Sequence, residues 1–177
     1  MSFQHVLVNS AFPRETKVEL LPLDEMRMPI VCQGIAYWEK LRGTRPYPAR
    51  DEIRPRDITG LLQHMVLAKA LDGAHDFLLK IVGDEVCRNY RATIINRRLS
   101  EIATDLPKTV QRWLPVYRRV ALSGVPLAVV VTVGLEMPEI NFTHAEMVCL
   151  PLGPNGEPVD HIVTFGQHTA RPGIERI

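Results

Sequence analysis

The chain has 177 residues, 46% hydrophobic and 23% charged, with a formal net charge of +1 at pH 7. That length supports one buried core without disulfide or metal staples, and so even a charge balance excludes a strongly basic nucleic-acid binder and a surface that seeks anionic membranes. The longest strongly apolar run, AVVVTVGL, falls far short of the ~18 residues of a membrane span.

Three cysteines, Cys32, Cys87 and Cys149, are odd in number and never in a CxxC pattern. They sit among apolar residues as small hydrophobes of a reducing compartment. The N-terminus, MSFQHVLVNSAFPRE, has no basic n-region and no apolar run of signal length. A soluble, cytoplasmic protein is expected. Sixteen arginines against five lysines fit a GC-rich genome more readily than a dedicated anion site.

Residues 1–27 show no strong period and read as an irregular N-terminal arm that packs on a neighbour or another subunit. Pro29 suits the start of a helix and Gly43 its stop. Between them Val31, Ile35, Trp38 and Leu41 recur at helical spacing. The connector that follows, GTRPYPARDEIRPRDITG, holds too much proline for a regular element. Arginines 42, 45, 50, 54 and 56 meet Asp51, Glu52 and Asp57, which reads as an ion-paired surface connector.

HMVLAKAL (64–71) and DFLLKIVG (76–83) form a hairpin on an Asp72-Gly73 turn. The second strand breaks at Gly83-Asp84 into short helical turns carrying Val86, Cys87, Tyr90 and Ile94, which close on Leu99-Ser100-Glu101-Ile102. A strand feeding compact turns in this way builds one wall of a small cavity beside a sheet. Asp105 as N-cap and Pro107 in the first turn open a helix. Its apolar stripe is Val110, Trp113, Leu114, Tyr117, Val120 and Ala121, and Gly124 with Pro126 stops it. Three strands follow, in VPLAVVVTVGL (125–135), AEMVCLPL (145–152) and VDHIVTFGQH (159–168), before a frayed tail.

Long β segments without intervening helices imply antiparallel pairing, with the inserted helices on one sheet face. The first of these last three strands is apolar both ways, with Ala128 and Val130 on one face and Val129, Val131 and Val133 on the other. Something must cover its outer face, either the 29–43 helix or a partner subunit. The division expected is an arm (1–27), one domain (28–168) and a tail (169–177).

The stretches YWEKLRGTRPYPARDEIRPRDI (37–58), DFLLKIVGDEVCRNY (76–90), RRLSEI (97–102), VYRRVALSGVP (116–126) and CLPLGPNGEPVDHIVTF (149–165) resemble PAS domains. The resemblance is nearest to the bacterial single-domain subgroup long catalogued as a domain of unknown function. It implies an α+β fold with a five-stranded antiparallel sheet, helices on one face, an N-terminal cap helix and a small internal cavity. It also implies sensing or protein interaction, often as a dimer. Where that family commonly has a glycine after the Tyr90 position, Arg91 stands here, which predicts displaced helical turns. No kinase, cyclase or DNA-binding segment follows the domain, so output is expected to pass through another protein.

No histidine spacing suits a metal, and His64 and His75, flanking the first hairpin, read as surface groups. His161 shares a strand face with Val159, Val163 and Phe165; it reads as a satisfied core histidine that could touch a ligand or serve as an axial haem ligand. Cys87-Arg88-Asn89 has the wrong order and companions for a flavin-reactive cysteine. Asp160 and His161 lie on opposite strand faces and are not expected to pair, and no nucleophile elbow, P-loop or dinucleotide motif occurs. The expectation is a non-enzymatic sensory module with no metal and with its cofactor, if any, unassigned.

Its pocket is expected to be lined by Phe77, Ile81, Tyr90, Ile94, Trp113, Tyr117, Val120 and His161, holding a small, mostly apolar ligand. Arg88, Arg97 or Arg98 would meet any anionic group at its mouth. A homodimer through Val31, Ile35 and Trp38 and a separate signalling partner complete the reading, with neither nucleic acid nor membrane engaged. The alternatives are a cyclic-dinucleotide or other nucleotide-messenger receptor using the arginine-rich connector, in which Arg50 and Arg54 stand in an RxxxR spacing without the acidic-serine-glycine element that should follow, and a small α+β enzyme acting on an apolar substrate.

Overall fold

A computed structural model describes residues 13–172. In chain order it contains β1 (Lys17–Leu21), α1 (Pro29–Arg42), β2 (Met65–Leu71), β3 (Asp76–Val82), α2 (Asp84–Tyr90), α3 (Leu99–Ile102), α4 (Pro107–Ser123), β4 (Leu127–Thr132), β5 (Phe142–Leu152) and β6 (His161–Ala170). The strands form one antiparallel sheet in the order β1-β4-β5-β6-β2-β3.

Five of those strands are the ones the sequence predicts. The sixth, β1, lies inside the stretch read as an irregular arm, and it pairs along β4 from Lys17↔Thr132 to Leu21↔Ala128. Its first four residues are exposed, so a backbone ladder rather than an apolar face holds it. That is why it carries no period. The arm's residues 1–12 lie outside the described region.

Beyond the exposed edge strand β1, the sheet is covered on both sides. On one face, α1 sets Val31 and Trp38 against Leu67, Val148, Leu150 and Phe165. The connector joins this layer through buried Ile53 and Ile58, with Leu61 just after it, so it is more than an ion-paired surface strap. On the other face, α2, α3 and α4 pack over Phe77, Val129, Met147 and Ile162. Trp38 is anchored by its indole N–H, which donates to the Pro151 carbonyl at 2.9 Å. The start of α1 is held from the sheet as well. Glu146 Oε2 accepts the backbone N–H groups of Arg27 and Met28, each at 2.8 Å, and Gln167 Oε1 accepts that of Ile30 at 3.0 Å. These donors have no intrahelical partner of their own.

Several boundaries follow the local chemistry. Pro29 opens α1 and Pro107 opens α4, while Gly43 and Gly124 end them with positive φ. Asp105 does not cap α4; Leu106 holds that position, and the Asp105 carboxylate accepts from Arg97 at 2.7 Å instead. Arg91 takes the left-handed conformation itself, with φ 50° and ψ 32°. The expected turn is therefore kept in place, at the steric cost an L-residue meets there.

Gly34 lets α1 lie close to the sheet: a Cβ there would come within 2.4 Å of the Phe165 ring. Alanine is the better helix former by about 1 kcal/mol, yet the clash falls on a fully buried ring. Gly34→Ala is expected to destabilise the fold by about 1–3 kcal/mol, read as a lowered urea midpoint. A raised midpoint would show that the α1 contact is looser than described.

Candidate functional site

Between the helical layer and the sheet lies a cavity of about 60 Å³. Its helical wall is Val86 and Tyr90 of α2, Ile94, Leu99 and Ile102 around α3, and Leu106, Thr109, Val110, Trp113 and Tyr117 along α4. The sheet supplies Val66, Leu79, Met147, Thr164, Gly166 and His168, and His64 closes the rim just before β2. None of these side chains is a lysine, arginine, aspartate or glutamate.

Besides the Tyr90 hydroxyl, which meets the Trp113 side chain, the polar groups on this wall fall into two sets. In the first, the Tyr117 hydroxyl lies 3.2 Å from Thr164 Oγ1, whose own hydroxyl reaches Cys149 Sγ at 3.6 Å. Because Thr164 has one proton to give, Tyr117 donates to it. Burial pushes the Cys149 thiol up to about 12 and raises both Tyr90 and Tyr117 far above the ordinary phenol value. All three are protonated at neutral pH, so the set is a passive, satisfied chain.

The second set has no protein partner among the described residues. The His168 ring packs edge-to-face on Phe142 at 4.6 Å and on Tyr90 at 6.3 Å. Part of the residue is exposed, yet both ring nitrogens are buried and neither has a hydrogen-bond partner. His64 Nδ1 and Thr109 Oγ1 are in the same condition. Burial, with a smaller effect of neighbouring His64, brings the His168 pKa down to about 4. Burial also lowers that of His64, against a weaker opposing pull from Glu85. Two neutral imidazoles therefore border an apolar cavity.

Residues 26–166 match the family model described as PAS domain. The chain belongs to the PAS domain family. Comparison with curated proteins and with solved structures gives no significant match. PAS domains are typically sensory or regulatory modules without enzymatic activity of their own, and among the described residues no helix is long and apolar enough to cross a membrane.

In this PAS domain Tyr90, Ile94, Trp113 and Tyr117 line the cavity as the sequence predicts. Phe77 sits just behind it, with its ring 5.4 Å from that of Tyr117, and Val120 is buried further along α4. Ile81 and His161 are misplaced by the sequence reading. The ladder from Leu67↔Ile81 to Ala68↔Leu79 skips Lys80, and this bulge turns Ile81 to the α1 face. On β6 the cavity face is Ile162, Thr164, Gly166 and His168, so His161 points away. Its Nδ1 lies 2.9 Å from Asp160 Oδ1. The two do pair, because Asp160 precedes the strand and is free of its alternation.

The other expected contacts also move. Val31 and Trp38 are 0% and 2% exposed inside their own chain, which removes them from any dimer contact; Ile35 is half-buried. Arg88 pairs with Glu85 and Arg97 with Asp105, each at 2.7 Å, so neither waits at the cavity mouth for an anion. Cys87 is raised by burial and by Asp84, the opposite of an activated thiol. His64, read as a surface group, borders the cavity. His168 has no motif around it, and only its place on the even face of β6 could have found it.

Neutral buried histidines make stability fall with acid. An unfolded histidine takes up a proton near pH 6.5, whereas folded His168 refuses one until about 4. Between those values the unfolded chain binds more protons, so stability drops as pH falls. For His168 the loss is on the order of 3 kcal/mol by pH 4, with His64 adding to it. Urea midpoints measured from pH 7 to pH 4.5 should fall steeply in the parent and less in His168→Phe. Equal slopes would place the His168 ring in water.

Proposed function

We propose that this PAS domain is a sensory module that holds a small, mostly apolar molecule in the cavity between α2–α4 and the sheet. The observation that carries the reading is the cavity itself. About 60 Å³ of space lined almost wholly by apolar side chains lies between α2–α4 and the sheet, and unfilled apolar space of this kind forfeits dispersion contacts. Sensing by occupancy gives that space a use.

A route from the cavity to the surface runs through one pair of strands. Met147 and Gly166 are register partners on the cavity side, and the next pair, Glu146 and Gln167, faces the other way and holds the start of α1. A molecule that shifts Met147 moves the strand that carries Glu146, and so changes how firmly α1 is docked. Output then passes through protein contacts, a homodimer included, on surfaces other than Val31 and Trp38.

The messenger-receptor alternative gains less support. Arg45 is held by both oxygens of Glu52, at 2.8 and 2.9 Å, and Arg42 by Glu39 at 2.7 Å; Arg50 and Arg54 stay outside the ion pairs among the described residues, but neither lines the cavity. Among the described residues the enzyme alternative has the partly exposed Asp160–His161 pair, which lies outside the cavity.

Native mass spectrometry on gently purified protein tests the proposal. A discrete low-mass adduct is expected, released on denaturation and absent from a Val110→Trp variant whose indole fills the cavity. The bare protein mass in both, together with a parent cavity that xenon does not enter, would contradict it.

A further inference from the structure

We propose that the molecule sensed is an uncharged short-chain alcohol, with its hydroxyl held between His168 and His64 and its carbon chain along Ile94, Ile102 and Leu106. This rests on the ligand-sensing reading above and adds the chemistry of the head group.

The argument begins with charge. No ionised side chain lines the cavity, so an anion or cation would enter without a counter-ion and meet the full penalty of losing water. Uncharged ligands are selected. The next constraint is hydrogen bonding. A neutral imidazole carries one donor and one acceptor, and neither nitrogen of His168 has a partner, nor does Nδ1 of His64. A carbonyl compound offers acceptors alone and leaves an acceptor nitrogen unmet. A hydroxyl both accepts and donates, so it can meet one nitrogen of each histidine in either tautomer, which a group with acceptors alone cannot. The Thr109 hydroxyl, also buried without a partner, can rotate to supply either role.

Size narrows the class further. A dry cavity of about 150 Å³ is what admits benzene, and this one is about 60 Å³. A phenol and 1-butanol are of nearly equal volume, so each needs the wall to yield, but a flexible open chain adapts to the space where a planar ring cannot. Finally, Gly166 leaves the floor clear. A Cβ there would stand 3.0 Å from Met147 Cγ and 3.3 Å from His168 Cε1, crowding the ring that receives the head.

The test is a titration followed by methyl and histidine side-chain NMR, with 1-butanol, sodium butyrate at pH 7.5 and xenon as probes. Butanol is expected to shift the Ile94, Ile102 and Leu106 methyls together with the His168 ring nitrogens, and butyrate to bind at least about tenfold more weakly. In His168→Leu, butanol affinity should fall about tenfold while xenon affinity holds. His168→Gln, which keeps a donor and an acceptor, should recover part of the loss. Equal butanol affinity in the parent and His168→Leu would overturn the proposal, as would butyrate binding as tightly as butanol. The parent's histidine shifts and its butanol-to-butyrate ratio decide the matter even if the leucine variant fails to fold. Failure of xenon to reach the cavity methyls in the parent is a separate result, and it would remove the sensing reading itself.

Discussion

The pleat of β5 and β6 sends successive side chains into two separate cores, and the rest of the molecule depends on both being covered. Every residue of β5 from Ala145 to Leu152 is buried, which a strand achieves only when something lies on each face. α1 supplies the cover on one side. Without it Val148, Leu150, Val163 and Phe165 would face water, at a cost of about 1.5–3 kcal/mol for each large side chain. Its docking is correspondingly well secured, by buried Trp38, by the glycine that admits Phe165, and by the carboxylate of Glu146 at its first turn.

The two cores are built to different standards. The α1 side is closed by large, interlocking side chains, with Trp38, Phe165, Leu150 and Leu152 all at 2% exposure or less. The helical side retains a cavity, and beside it imidazole nitrogens and a hydroxyl without partners. Unmade hydrogen bonds of buried groups cost about 1–3 kcal/mol each. A PAS domain that needed only stability would have filled the space with carbon, and the cost falls where a ligand could repay it. Because the cavity and the α1 anchor share neighbouring positions on β5 and β6, a change on one side has a short path to the other.

Much of this was legible in the chain, for identifiable reasons. Prolines and glycines marked the ends of α1 and α4, and the stripe from Val110 to Val120 fixed which face of α4 turns inward. On β4, Ala128 and Val130 on one face and Val129 and Val131 on the other announced two covered sides. What was not legible was parity. In β6 the run Ile162–Phe165 has no alternation to read, so His161 and His168 could not be told apart by pattern. In β3 the bulge at Lys80 carried Ile81 to the other face. β1 was invisible because its pairing is made by backbone, which no side-chain pattern records.

The most direct measurement is a crystal structure of the protein purified without stripping steps. The account predicts density for a small non-protein molecule against Ile94, Ile102 and Leu106, with one end at the His168 ring. A helical layer closed onto the sheet, with Trp113 or Tyr117 filling the space and His168 turned out to solvent, would contradict it.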